Sequence, residues 1–426
     1  MKIAIVTQNY NLGVNGSSIF SENLAEGLAH DGNQVVVISP SNKLHPYEAR
    51  KNEVEVIELP ALPLAPFYQD IQVTLFPGAR IFEIFRQFHP DVVHIMDHYP
   101  LCRSAVTQAE RLDIPMIATN NFLPDNIILN VGLFRRYHEG VQRYLWNMVF
   151  NVFEHTSLVT TPSRAGVEIL GRQGLKIPAV SVSCGVDFNR FFRDTSVDVP
   201  GIRRKFGLDP DRKLFIFVGR MEQEKRLQLL LKAVQTAARE DIQLAICGRG
   251  MYKNAYEKLA KQLGLDDKAV FTGYVPGAIL PRLLNAADFF VMPGDTELQS
   301  IATMEAMACG LPVLAANARA LPELVKHLEN GYLFSPGNVS DAAAGINWLA
   351  DQFDTWDKLS AASLRIVKPH QIESTITRFE ELYRKVVETK AGKKMNGSGR
   401  KRSLKWHNRR RPGATAHRAG PFGRQN

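Results

Sequence analysis

Residues 214–227 read LFIFVGRMEQEKRL. Five apolar residues, Leu214 to Val218, run into Gly219 and a charged turn, and a leucine-rich helical pattern follows. A short apolar run bounded in this way predicts a strand buried on both faces of a parallel sheet, with the following helix as its crossover. The unit is also a restart. Before it, DTSVDVPGIRRKFGLDPDR (Asp194 to Arg212) is polar, carries Pro200 and Pro210, and predicts a linker. Downstream, apolar runs near Ile242–Cys247, Ala269–Thr272, Asp288–Met292 and Pro312–Leu314 alternate with helical patterns. Upstream, Ile3–Val6, Val35–Ile38, Val54–Ile57, Val92–Ile95, Pro115–Ala118 and Leu158–Thr160 do the same, with helices predicted over Ile19–Ala29, Gly78–Phe88 and Ala165–Arg172. This is the grammar of two successive doubly wound α/β domains. The length of 426 residues agrees, because a single core stops growing at roughly 250–300. In such sheets ligands bind beyond the carboxyl ends of the strands, and a cleft between two of them is a natural substrate site.

The charge is unevenly placed. The chain has 52 Lys and Arg against 43 Asp and Glu, a formal +9. The segment from Lys390 to Asn426 holds 12 of the cations and no acid, leaving 40 basic and 43 acidic residues up to Thr389. The body is therefore mildly acidic and presents no basic face or known nucleic-acid module, so nucleic acid is not the expected partner. Residues 390–426 are too polar and one-sided in charge to fold alone, and predict a disordered tail. Before it, Ile372, Ile376, Phe379, Leu382 and Val386 form a helical stripe within Gln371–Lys390. The start MKIAIVTQN offers four apolar residues before Thr7, too few for a signal peptide, and no run approaches the roughly 18 apolar residues of a membrane span. Cys102, Cys184, Cys247 and Cys309 are far apart, which predicts neither a disulfide framework nor a metal site. A cytoplasmic chain is expected.

Several stretches hold groups suited to chemistry. In GDTELQSIATMEAMACGLPV, Glu297 lies in a loop and Glu305 in the following helix, where each can accept hydrogen bonds from polyol hydroxyls. The amides of Ser300, Ile301 and Ala302 open that helix and favour a phosphate. Two solvated glutamates are the competing reading. Arg220 and Lys225 flank a strand-to-helix turn and suit a diphosphate, as ground-state ligand or as leaving group. Pairing with Glu222 or Glu224 is the alternative. Gly13 and Gly16 precede the first helix and would let a ligand approach the backbone. DVVHIMDHYP places His94, Asp97, His98 and Tyr99 at a strand's end, with His94 read as packed and structural. ATNNFLPDN adds Asn120, Asn121 and Asp125. Val131 to Phe153 mixes Arg135, Arg136 and Arg143 with aromatics, as an interfacial helix does, although aromatics in the core with solvated arginines is the competing reading and Glu139 and Glu154 dilute the positive face. No ligand spacing for a catalytic metal is present.

Taken in order, VNG, DVVHIMDHYP, ATNNFLPDN, VSCGVDFNRFF, VGRMEQEKRL, CGRG, VFTGYVP and TELQSIATMEAMACGLPV resemble the family 4 glycosyltransferases, retaining enzymes of the GT-B fold, over about residues 1–388. The last stretch matches the family's signature of two glutamates separated by seven residues. The resemblance implies an acceptor-binding Rossmann-like domain at 1–195, a nucleotide-sugar domain at 196–369 and a C-terminal helix at 370–389 packing back on the first domain. It implies that Arg220 and Lys225 bind the diphosphate, Glu305 the ribose and Glu297 the donor sugar. Gly16 would touch the phosphates, and Gly248, Arg249 and Val275 would lie near the nucleotide. It needs no cofactor beyond a nucleoside diphosphate sugar, read as a UDP-sugar, and no metal or protein nucleophile. Asn121 stands where the family leads one to expect histidine, with His98 a substitute; Ser300 and Asn15 stand where many members have glycine.

TNNFLPDN and ELQSIATMEAMA look most like the transferases that glycosylate diacylglycerol or related lipids. The expected reaction is thus transfer of a hexose, read as glucose, to a membrane lipid hydroxyl. Its expected place is the inner face of the plasma membrane, with residues 390–426 available to an anionic surface. Transfer to a soluble sugar or polysaccharide, and a catalytically silent nucleotide-sugar-binding protein, are the alternatives. An epimerase of the same architecture is opposed by the glutamate signature.

Overall fold

The computed structural model describes residues 1–10, 16–41, 47–63, 72–130 and 138–395. Gly13 and Asn15, the arginines at 135 and 136, and the tail from 396 to 426 lie outside the described residues.

Among the described residues the first sheet has nine strands: β1 (Lys2–Val6), β2 (Gln34–Ser41), β3 (Tyr47–Lys51), β4 (Val54–Pro63), β5 (Gln72–Thr74), β6 (Val92–Ile95), β7 (Met116–Thr119), β8 (Val159–Thr161) and β9 (Ala179–Ser181). Their order is β3-β4-β2-β1-β6-β7-β8-β9, with β5 paired to β4. The pairing is parallel except for β3 and β5, which run antiparallel to β4. The second sheet holds β10 (Lys213–Val218), β11 (Ile242–Cys247), β12 (Ala269–Gly273), β13 (Phe289–Met292), β14 (Val313–Ala316) and β15 (Gly331–Phe334), in the order β12-β11-β10-β13-β14-β15 and wholly parallel. The central strands β1, β6, β7, β11, β13 and β14 are buried along nearly their whole length, which is why they read as unbroken apolar runs. This is the two-sheet, doubly wound architecture of the GT-B fold.

Each sheet reverses its order once, between β1 and β6 in the first and between β10 and β13 in the second. Adjacent strands whose connections leave in opposite directions open a crevice at their carboxyl ends. Those two crevices receive the sequence motifs.

The stretch Arg193–Arg212, expected as a linker, lies between the last strand of the first sheet and the first strand of the second and is partly helical. Helix Val199–Lys205 forms within it, capped by the Asp198 side chain on Gly201 N. Arg203 is buried and donates to the carbonyls of Ala286, Pro210 and Arg212 and to the Asp288 carboxylate, the last at 2.9 Å. Asp288 also accepts Leu214 N, so this pair fastens the segment to the root of the second sheet. Polarity that resembled a linker is one side of a buried ion pair.

The chain passes between the sheets twice, after β9 and near residue 370. The two passages are joined: Val186 N donates to His370 O at 2.8 Å and Ile372 N to Val186 O at 2.9 Å. The last helix, Ile372–Met395, then returns to the first sheet. Its stripe of Ile376, Phe379, Leu382 and Val386 is buried, together with Tyr383, which the stripe did not include. A Cβ on Gly27 would lie 1.9 Å from Ile376 Cδ1, so helix Gly16–His30 must be bare at that point. The helix runs on to Met395, so residues 390–395 are helical and the expected start of the disordered tail at 390 is corrected.

Candidate active site

The second crevice is built on β10 and β13. β10 delivers Gly219 and Arg220, and a 3-10 turn over Gln223–Lys225 places Lys225 before helix Leu227–Ala237. β13 delivers the loop carrying Asp295 and Glu297, followed by helix Ile301–Ala308 with Glu305 on its second turn. Lys225 Nζ lies 2.5 Å from Glu297 Oε1. Arg220 Nη2 lies 3.3 Å from Glu224 Oε1, and Arg226 Nε is 3.1 Å from both Asp295 oxygens. Each of these three cations therefore has a carboxylate against it, and an incoming diphosphate would exchange one anion for another. Arg220 is paired within its own turn, whereas Lys225 meets neither Glu222 nor Glu224 and reaches across the crevice to Glu297.

Glu297 and Glu305 are both buried, which overturns the reading of two solvated glutamates. Burial raises the Glu305 carboxyl to about 7, with Arg190 pulling the other way. Hydroxyl donors bonded to this carboxyl would favour its charged form. Ser300 caps the helix by accepting from Thr303 N at 3.3 Å. A Cβ on Gly16 would stand 3.6 Å from Ile301 Cδ1, so the first helix of one domain meets the signature helix of the other here.

Glycine at 248 has a steric cause. Its φ is +145°, and a Cβ there would lie 1.9 Å from Gly219 O. The loops after β10 and β11 thus cross backbone to backbone, tied by Met221 N to Arg249 O at 2.8 Å. Arg249 sits over the Tyr274 ring at 4.9 Å, beside buried Val275. Ala302 and Ile301 complete the helix start next to Ser300.

The first crevice is different in kind. His94 is buried between Tyr383 Oη (2.7 Å) and Thr119 Oγ1 (2.6 Å), and burial lowers its imidazole to about 3, a structural histidine. Asp97 is also internal, accepting Gln8 N at 2.5 Å and Tyr99 N at 3.1 Å. His98 is buried, stacked on Tyr99 and packed on Phe122, and held neutral by burial, which lowers it to about 4. Among the described residues, His98 Nδ1, Asn120 Oδ1 and Asn121 Nδ2 are buried atoms without a hydrogen-bond partner. Unpaired buried polar atoms are costly, and three on neighbouring strand ends mark a place where a ligand would repay them. A cavity of about 380 Å³ lies between Leu129 of the first domain and Gln223, Arg226, Gln228, Tyr252 and Tyr256 of the second. In helix His138–Phe153, Trp146, Phe150 and Phe153 are core, and Arg143 and Tyr144 are exposed.

Sequence reasoning missed Gln299, Arg319 and Glu323. Gln299 Oε1 accepts Cys184 N at 2.8 Å, and Glu323 accepts the amides of Arg164 and Ala165. Nothing local in the sequence distinguishes such residues from solvated ones.

Two family models cover most of the folded chain. Residues 14–190 match Glycosyltransferase Family 4 and residues 198–363 match Glycosyl transferases group 1. A GDP-mannose-dependent alpha-mannosyltransferase of Mycolicibacterium smegmatis is 30% identical over 337 residues, 78% of this chain and 84% of the relative. The chain is a family 4 glycosyltransferase. Sulfoquinovosyl transferase of Arabidopsis thaliana is 27% identical over 369 residues, covering 84% of this chain and 68% of that one. Alpha-monoglucosyldiacylglycerol synthase of Streptococcus pneumoniae is 24% identical over 339 residues, 78% and 75% respectively. Among solved structures, HepE of Anabaena, in complex with UDP-glucose, aligns over 92% of this chain and 100% of its own with a TM-score of 0.71 at 17% identity, which speaks for the shared GT-B fold. Among the described residues of this glycosyltransferase, no helix is long and apolar enough to cross a membrane.

Proposed function

We propose that this glycosyltransferase is a retaining enzyme that moves a hexose, glucose first among candidates, from a nucleoside diphosphate sugar to the hydroxyl of a membrane lipid such as diacylglycerol. The observation that carries the reading is the placement of Arg220, Lys225, Glu297 and Glu305 around the second crevice, across from Gly16 and the unpaired atoms of the first. Arg220 and Lys225 take the charge that develops on the leaving diphosphate, the step in which fixed charges contribute most to rate. On this reading no metal is needed for that charge. Glu305 accepts the ribose hydroxyls, Glu297 holds the sugar, and Gly248, Arg249 and Val275 border the nucleotide. Ser300, Ile301 and Ala302 present amides to the phosphate.

The unpaired Asn121 and neutral His98 hold the acceptor hydroxyl. With Asn121 unable to take a proton, the leaving phosphate and His98 are the remaining acceptors for the hydroxyl proton. Relatives with lipid and with mannosyl names both support a hexose donor, and the diacylglycerol-named relative favours the lipid. The basic residues 390–426 would add attraction to an anionic, cytoplasmic leaflet, at about 1 kcal/mol for each cation near the surface.

The test is release of nucleoside diphosphate from UDP-glucose and GDP-mannose, with and without diacylglycerol vesicles, in the presence of a metal chelator. Vesicle-dependent turnover that survives chelation and is lost in Lys225→Ala upholds the proposal. Equal turnover on soluble sugars overturns the lipid acceptor, and no turnover in the parent chain favours a silent sugar-nucleotide binder. Unchanged vesicle binding after removal of residues 396–426 overturns the electrostatic tail.

A further inference from the structure

The two domains touch along the carboxyl edge of the first sheet, and the contacts follow the strand order outward from the passage between domains. Beyond β9, next to the joined passages, Gln299 Oε1 accepts Cys184 N at 2.8 Å and Ser183 Oγ at 3.3 Å. Beyond β8, Glu323 Oε1 accepts Ala165 N at 2.8 Å and Oε2 accepts Arg164 N at 3.1 Å. Beyond β7, Arg319 Nη2 stands 3.8 Å from Asp125 Oδ2, whose other oxygen is 3.8 Å from His138 Nε2. Of these three contacts, the one beyond β7 is the longest.

Glu323 occupies a position that the first domain leaves open. Helix Arg164–Arg172 begins with Ser163, whose side chain accepts Gly166 N. The amides of Arg164 and Ala165 lie in the first turn of that helix and have no intrahelical acceptor. The Glu323 carboxylate, half-buried and carried by the other domain, takes both, with the helix dipole adding to each bond. Glu323 is also bound to the active-site loop. Ala320 N donates to Glu297 O at 3.2 Å, so the segment bearing Arg319 and Glu323 is fixed to the backbone of the residue assigned to the donor sugar.

We propose that Glu323 is a positioning residue that holds the cleft closed, with Arg319 and Asp125 as the outer pair that tightens on closure, so that Glu297 is set against the acceptor half. The proposal rests on the glycosyltransferase reading of the crevice. It predicts an acceptor-side defect, because the donor groups Arg220, Lys225 and Glu305 all belong to the second domain and keep their geometry when the cleft opens.

The experiment combines steady-state kinetics with small-angle scattering on the full chain, with and without UDP. In Glu323→Ala, kcat divided by acceptor KM is expected to fall about tenfold or more, since small misplacements of reacting groups are expensive in rate. UDP affinity stays within about twofold of the parent, and the scattering profile shows wider domains. Glu323→Gln, which keeps one acceptor oxygen, falls between. Arg319→Asp and Asp125→Arg each weaken turnover by about threefold, and the double reversal restores it, a rescue that a merely structural loss would not show. If Glu323→Ala matches the parent in acceptor kinetics and in scattering, the proposal is overturned. Should the parent not turn over, the functional reading fails by itself and the scattering comparison alone decides the seam: wider upholds it, unchanged sinks it. Should Glu323→Ala not fold, the reversal pair decides.

Discussion

The two crevices of this molecule sit at equivalent points of two similar sheets and are finished in opposite ways. In the second, Arg220, Lys225 and Arg226 each face a carboxylate, and charge is balanced before any ligand arrives. In the first, His98, Asn120 and Asn121 are uncharged and leave buried hydrogen-bonding atoms unsatisfied among the described residues. A pre-paired charge lowers the cost of holding cations in a partly dry site and is released only to a competing anion. An unpaired amide or imidazole stores no charge and is repaid by any well-placed hydroxyl. The second crevice is thus suited to an anion and the first to a neutral alcohol.

Three experiments would break or sharpen that contrast. The largest effect is expected on the charged side: Lys225→Ala should lower kcat by about 10²- to 10³-fold, the cost of removing one preorganised stabiliser of developing charge. A loss of only a few fold would mean that the leaving group is not held there. On the neutral side, Asn121→Ala and His98→Phe should each lower acceptor kcat/KM by about tenfold, the worth of one hydrogen bond, while UDP affinity holds. Equal damage to UDP binding would erase the distinction between the halves.

The smallest effect concerns Glu305. Ribose hydroxyls favour its ionised form, so donor affinity should fall by several fold, up to about tenfold, from pH 8 to pH 6, as a carboxyl at about 7 takes up a proton. Titration calorimetry would read it, and Glu305→Gln should be flat over that range. The sign for stability is the reverse of an ordinary paired carboxylate. Its folded value lies above its unfolded one, so the contribution is present below the unfolded value and is lost as pH rises through about 7. The thermal midpoint of the ligand-free protein should therefore decline over that interval by more than that of Glu305→Gln.

The sheets were legible because buried parallel strands are written in Val, Ile and Phe, as in Leu214–Val218. Edge elements were not: Tyr47–Lys51 (YEARK) is mostly exposed at a sheet edge and has no apolar alternation to betray it. Helix Val199–Lys205 was masked by Arg203, whose burial depends on Asp288 more than eighty residues away. In the site, the resemblance named Arg220, Lys225, Glu297 and Glu305, whereas spacing alone left two solvated glutamates open. Glu323 carried no signal, because a carboxylate whose partners are backbone amides leaves no complementary charge in the sequence.

The sequence by itself determined the alternation of buried strands and helices in two successive units and the residue types at the strand ends, since these follow from local periodicity and from glycines and charges at turns. Only the tertiary structure decided which charges are paired. Lys225 could have met Glu222 or Glu224 nearby, yet it meets Glu297, 72 residues on, because adjacent β10 and β13 bring their carboxyl ends together. The unsatisfied atoms of the first crevice and the Glu323 seam have the same origin. Burial and partnership are properties of the packed chain, and no window of sequence contains both members of a contact that the fold creates.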